Sequence, residues 1–297
     1  MVERPIVVGI GEILWDLLPS GKQMGGAPAN FAYQAKALGA ESVIVSAVGD
    51  DEPGREILRT LEGQGLDGRR VSVLASVPTG SVTVRLDAQG IPAYDILKNA
   101  AWDFLPWTSE TLEAAVCVDA VCFGTLAQRS EVSRTTIRAF LDATRGDCLR
   151  VLDLNLRQSY YSREIIRGLL QRSNVLKLND EELRSAARLF AMPGSETEIL
   201  ERLLGEYPLD LIALTKGKSG SRLFGRNRES LHPGYPVEMA DSVGAGDAFT
   251  AALVVGLLKK KDWDDISERA NRIAAFVCSH KGAWPQVPAD LASWPAD

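Results

Sequence analysis

Six short runs rich in Val, Ile and Leu recur along the chain, at residues 6–10, 42–48, 120–123, 150–154, 174–178 and 209–214, with stretches of helical periodicity between them. Near-continuous apolar strands have no wet face, so the sheet they form must be covered on both sides. Parallel neighbours in such a sheet need crossover connections, which the helical stretches supply. The pattern predicts an α/β fold, a mostly parallel sheet sandwiched between helices. Helices are expected at 29–38, 53–61, 130–143, 163–171, 181–190, 197–204, 245–260 and 266–279, with Gly39 closing the first.

At 297 residues the chain has room for one such domain, spanning 1–297, with a small appendage. Hydrophobic residues at 45% and charged residues at 24% are ordinary globular values and argue against disorder and coiled coil. A net charge of −6 offers no basic footprint for nucleic acid. The longest apolar run, 248–258, falls short of the roughly 20 residues that cross a bilayer and ends in Lys259-Lys260-Lys261, so it reads as a buried helix. Glu3 and Arg4 interrupt any apolar leader at the N-terminus. Cys117, Cys122, Cys148 and Cys278 lack C-x-x-C spacing, and with two histidines they suggest neither a zinc site nor a disulfide framework. These features predict a cytoplasmic protein acting on a small molecule, without nucleic-acid or membrane partners.

Between about residues 71 and 105 the pattern changes to strands at 71–74, 81–86 and 91–97, with Asp87-Ala88-Gln89-Gly90 as a hairpin turn and no helix. An antiparallel insertion in a parallel domain suits a lid over an active site, with a contribution from about residues 12–24. A decorative edge sheet is the alternative, and its free edge leaves room for a homodimer through the lid.

The stretch richest in chemistry is Asp241-Ser242-Val243-Gly244-Ala245-Gly246-Asp247, directly before the apolar helix. Its glycines let successive backbone N–H groups converge on an anion, and the helix N-terminus adds the positive end of its dipole. Carboxylates repel that anion, so an acid retained there needs a use. Asp247 reads as a catalytic base and Asp241 as an organiser of the loop or of a cation. Taken alone, the stretch is equally a plain glycine-rich helix start. Gly25-Gly26-Ala27-Pro28-Ala29-Asn30 combines close backbone approach, a proline suited to a first helical turn and an amide that both donates to and accepts from hydroxyls. Gly217-Lys218-Ser219 ends like a phosphate-binding P-loop, but Ile212 stands where a glycine is required. Gly9-Ile10-Gly11-Glu12 does not extend to a dinucleotide fingerprint, which argues against a nicotinamide oxidoreductase.

In this order the motifs resemble the ribokinase-like sugar kinase family, also called the phosphofructokinase-B family, over nearly the whole chain. Residues 241–247 are similar to its C-terminal signature, with Ser242 where Thr is commoner, and residues 25–30 to its sugar-binding signature. The resemblance implies ATP as phosphoryl donor, Mg2+, a sugar acceptor, Asp247 as base, and Gly244, Ala245 and Gly246 as the anion hole. Asp16, Gly25, Gly26, Asn30 and Asp247 would meet the sugar. Asn179, Thr215, Gly217, Gly220, Gly246 and Asn271 would meet ATP, with Asn179 and Glu182 holding magnesium through water. Asp153-x-Asn155-x-Arg157 matches a further family pattern, in which Arg157 would steady a phosphate or a substrate anion. Asp241, Val243, Val277, His280, Gly282 and Gln286 match positions around a monovalent cation, K+, although Gln286 departs from the small hydroxyl residue often found there. Residues 25–30 with Ala101-Trp102-Asp103-Phe104-Leu105 look most like the fructokinase branch, implying D-fructose. Ribose, 2-keto-3-deoxygluconate and nucleosides are the alternative acceptors. A non-catalytic ATP or sugar sensor on the same fold is the reading from another class, and the intact pair Asp241 and Asp247 stands against it.

Overall fold

The computed structural model describes residues 4–18, 21–86 and 92–294. Along the chain run β1 (Ile6–Ile10), β2 (Leu14–Leu18), β3 (Gly21–Gly25), α1 (Ala27–Ala37), β4 (Glu41–Gly49), α2 (Glu52–Gly63), β5 (Val71–Leu74), β6 (Gly80–Leu86), β7 (Pro92–Ile96), α3 (Ser109–Cys117), β8 (Ala120–Phe123), α4 (Glu131–Ala143), β9 (Leu149–Asp153), α5 (Arg163–Leu170), β10 (Val175–Asn179), α6 (Asp180–Phe190), α7 (Glu196–Glu206), β11 (Leu211–Thr215), β12 (Ser221–Phe224), β13 (Glu229–His232), α8 (Ala245–Leu258) and α9 (Trp263–Cys278).

Among the described residues nine strands form the predicted large sheet, in the order β13-β12-β11-β10-β9-β8-β1-β4-β5. From β5 to β11 every pairing is parallel, and β12 with β13 closes the far edge as an antiparallel hairpin. Both faces are dry, as the apolar strands require. Phe140, Ile166 and Leu200, on α4, α5 and α7, pack one face, and Phe31, Phe249 and Ile273, on α1, α8 and α9, pack the other. Helix α8 is apolar around its whole circumference because it lies between the sheet, α1 and α9. Helix α9 starts at Trp263, ahead of the expected Ile266, because the Asp262 side chain caps it by accepting from the Asp264 N–H.

A second sheet has, among the described residues, four strands in the order β3-β2-β6-β7, two antiparallel pairs joined through a parallel β2–β6 pair. The expected 71–105 insertion is corrected at both ends. Strand β5 belongs to the large sheet, where it covers the outer edge of β4. The stretch Ala101–Phe104 is a turn of 3-10 helix, not strand or loop. Its Trp102 is 1% exposed, and Asp103 pairs with Arg129 at 2.7 Å while that guanidinium stacks 4.0 Å from the Trp102 ring. Residues 101–105 therefore anchor the second sheet to the core. The expected hairpin turn at 87–90 lies outside the described residues. Strands β2, β3, β12 and β13 and helix α3 are additions to the predicted elements. Among the described residues no helix is long and apolar enough to cross a membrane, and all four cysteines are unbridged.

Candidate active site

Chain following β1 and β9, the end of β10, and the amino ends of α1, α6 and α8 meet at one cavity of about 690 Å3, bounded on its other side by Leu14, Asp16, Val82 and Ile96 of the second sheet. The volume suits a small-molecule ligand. Carboxyl ends of parallel strands and amino ends of helices together concentrate N–H donors on such a crevice.

Gly244 opens α8 with φ of 80°, and a Cβ there would overlap Ala283, so the loop requires glycine twice over. Asp241 does organise this loop. Its Oδ1 accepts from the Val243 N–H at 3.0 Å and its Oδ2 from the Gly282 N–H at 3.1 Å, tying the loop to the exit of α9. The backbone N–H groups of Ala240 and Asp241 both donate to the Cys278 carbonyl.

Asp247 sits in the first turn of α8 and accepts a 2.8 Å hydrogen bond from Asn30 Nδ2. Asn30 Oδ1 in turn accepts from Trp284 Nε1 at 2.8 Å, and Trp284 stacks on Tyr33 with 4.5 Å between ring centroids. The first turn of α1 thus aims the carboxylate. It can do so because Gly26, φ 103°, begins that helix against the Glu12 carbonyl, where a Cβ would not fit. Burial pushes the Asp247 carboxyl up to about 6, reinforced by the charge of Asp153, while the Asn30 hydrogen bond, Lys177 and Arg157 oppose the shift. A carboxylate of that basicity is ionised at neutral pH and still a competent proton acceptor.

Across the cavity Asp16, on β2, packs against Gly25, and burial raises its carboxyl to about 6, with Arg157 opposing and Asp241 adding. Arg157 is exposed at the cavity wall. Asn179 and Glu182 form a reciprocal cap on α6. Asn179 Oδ1 accepts from the Glu182 N–H, Glu182 Oε2 from the Asn179 N–H, both at 2.8 Å, and Glu182 Oε1 from the Leu156 N–H at 3.0 Å. With both carboxylate oxygens already carrying backbone donors, the pair fits a hydrated magnesium ion better than direct ligation. Among the described residues no group of three or more His, Cys, Asp or Glu side chains could hold an ion directly.

Not every expected residue reaches the cavity. Asp153 lies beneath the site, its two oxygens 3.0 and 3.1 Å from Lys177 Nζ, with Thr250 Oγ1 donating to it at 3.1 Å. Asn271 is buried between α9 and β12, its amide donating to Ser221 Oγ and the Ser267 carbonyl, both at 2.7 Å. Thr215, Gly217 and Gly220 stand at the end of β11 and the turn after it, outside the cavity walls. Of the positions matched to a monovalent cation, Asp241, Val243 and Gly282 are drawn to the end of α9, where the Val277 carbonyl accepts from the His280 N–H. Gln286 is exposed.

Two charged residues of the cavity were missed, Glu12 and Lys177. Burial drives the Lys177 pKa down, but Asp153, Glu182 and Asp247 more than offset it, so the ammonium is held charged. It faces Gly246, where a Cβ would lie 3.0 Å from Nζ. Burial pushes the Glu12 carboxyl to about 7, with its backbone hydrogen bonds and Arg157 opposing and Asp247 adding. The available signal was a charged residue in or directly after an apolar strand, Val-Leu-Lys-Leu and Gly-Ile-Gly-Glu.

Residues 20–290 match the pfkB family carbohydrate kinase profile. An uncharacterized sugar kinase of Pyrococcus horikoshii is 30% identical, covering 94% of this chain and 92% of that protein. Its crystal structure with ATP superposes with a TM-score of 0.80 over 94% of each chain at 28% identity. A fructokinase of Klebsiella pneumoniae is 29% identical over 94% of this chain and 95% of its own. A double-mutant fructokinase of Vibrio cholerae, crystallised with fructose, ADP and potassium ion, superposes with a TM-score of 0.81 at 25% identity over 97% of each chain.

Proposed function

Since this chain belongs to the pfkB family of carbohydrate kinases, we propose that it transfers the γ-phosphoryl group of ATP to the primary 6-hydroxyl of D-fructose. The observation that carries the reading is Asp247, anchored by Asn30 at the head of α8 beside the Gly244 and Gly246 backbone, in a cavity sized for a small molecule. The fructokinase relatives support fructose, and the ATP complex of the Pyrococcus horikoshii kinase supports the donor.

Asp247 accepts the proton of the sugar hydroxyl as that oxygen attacks the γ-phosphorus in line and the bond to the ADP oxygen breaks. The amides of Gly244, Ala245 and Gly246 face the phosphates, and the Lys177 ammonium adds positive charge beneath them. Asn179 and Glu182 would hold a hydrated magnesium ion, which would supply neutralisation of phosphate charge. K+ near Asp241, Val243 and Gly282 would steady the same loop. Asp16 and Asn30 bind sugar hydroxyls, and the second sheet acts as the lid that excludes water. Positioning and electrostatics supply most of the rate.

A panel of fructose, ribose, 2-keto-3-deoxygluconate and a nucleoside, followed by ADP release, tests the substrate. Fructose is expected to give the highest kcat/KM. An acid sugar ahead by about tenfold, roughly 1.4 kcal/mol of transition-state discrimination, would move the acceptor to an anion steadied by Arg157.

A further inference from the structure

Asp247 is held by an amide, and an amide can be turned round. Asn30 offers a donor, Nδ2, and an acceptor, Oδ1, from nearly the same place, and a half-turn about its last side-chain bond exchanges them. With Nδ2 toward Asp247 the amide supports the carboxylate. With Oδ1 there, two acceptors face each other, and the base loses both its anchor and the donor that favours its charged form. Asn30 is 4% exposed, so each end of its amide needs a partner within the protein.

Trp284, on the chain that leaves α9, settles the choice. Its Nε1 donates to Asn30 Oδ1 while Asn30 Nδ2 donates to Asp247, both at 2.8 Å. An indole N–H can only donate and an ionised carboxylate can only accept, so an amide between them has one orientation that satisfies both. The indole is itself held. It lies nearly flat on Tyr33, with 10° between the ring planes, and the residue before it is tied to the same helix, Gln34 Nε2 donating to the Ala283 carbonyl at 2.7 Å. Asn30, Tyr33 and Gln34 stand at i, i+3 and i+4 on α1, one face of the helix, so residues 283 and 284 are clamped where Asn30 lies. A phenyl ring would supply the same stack, and what tryptophan adds is the N–H. We infer that Trp284 is a positioning residue that acts through Asn30, fixing the amide with its N–H side toward Asp247 and so keeping the base aimed at the sugar hydroxyl. This deepens the kinase reading and rests on it.

Trp284→Phe keeps a ring on Tyr33 and removes the donor. The 13C carboxyl resonance of Asp247, followed against pH without ligands, is expected to titrate at higher pH than in the wild type, because an amide free to turn opposes burial less. With the sugar that the wild type phosphorylates fastest, kcat/KM near neutral pH should fall about 2- to 10-fold, the worth of one neutral hydrogen bond, with the KM for ATP within about threefold. In an Asn30→Ala background the same substitution should move neither quantity further, since no amide is left to orient. The wild type supplies a readout that needs no variant: the Trp284 indole N–H resonance should inflect at the pH where Asp247 titrates, because a carboxylate drawing on Nδ2 polarises Oδ1. An Asp247 titration unmoved in folded Trp284→Phe, an equal shift in the Asn30→Ala background, or an indole resonance without that inflection refutes the assignment. A wild type that phosphorylates no sugar refutes instead the function on which it rests, whatever the carboxyl titration shows.

Discussion

In the proposed mechanism Asp247 and Asn30 form a unit in which one side chain takes the proton and the other sets its aim and its basicity. The hydrogen bond from Asn30 Nδ2 stabilises the ionised carboxylate, so it lowers a pKa that burial has raised to about 6. The base must be unprotonated to act, and kcat/KM is therefore expected to fall as pH drops through about 6. Asn30→Ala should move that acid limb to higher pH, because removing the donor leaves burial less opposed. Asp247→Asn should abolish the limb together with turnover, by about 10²–10⁴. Rate–pH profiles of the three proteins check this; a limb that stays in place in Asn30→Ala would show that the hydrogen bond does not tune the base. Both residues were legible in the sequence because glycines beside them announce a close backbone approach. Glu12 and Lys177 were not, since a single charge in an apolar run has no meaning until its tertiary partners are known.

Strands β9 and β10 share a buried ion pair, braced by helix α8, that no local pattern announces. Lys177 and Asp153 are 8% and 4% exposed at the side chain, on adjacent parallel strands, and Thr250 of α8 completes the carboxylate. Lys177→Met leaves Asp153 charged and unpaired, with an expected loss of about 3–5 kcal/mol in denaturant unfolding. Lys177→Met combined with Asp153→Leu removes both charges and should recover most of that stability. If the double variant is no more stable than the single one, the pair matters through packing and not through charge. The strands and helices of the large sheet were legible because each is one apolar run or one amphipathic period, dictated locally. The second sheet was only partly so. Its β2 and β3 are short and half polar, and β5 was misassigned because the bare edge of β4, a tertiary circumstance, decides where it pairs.

At the scale of the whole molecule the two sheets bound one cavity, and their relative motion is what phosphoryl transfer would need to exclude water. The second sheet contributes Asp16 and the apolar Leu14, Val82 and Ile96 to the cavity, whereas Asp247, Lys177 and Glu182 belong to the large sheet and its helices. A sugar touching both sides should hold them together. Hydrogen exchange measured with sugar and a non-hydrolysable ATP analogue is therefore expected to slow in peptides covering β6 and β7. The assignment of β5 makes the prediction sharper: paired to β4 in the large sheet, it should keep its protection unchanged although it lies within the stretch first read as lid. Slowing in β5 to the same degree would mean that ligand stabilises the domain globally and not by closure. Clear binding with no slowing in β6 and β7 would leave the second sheet as a fixed wall, and exclusion of water would then have to come from the sugar's own fit against Leu14, Val82 and Ile96.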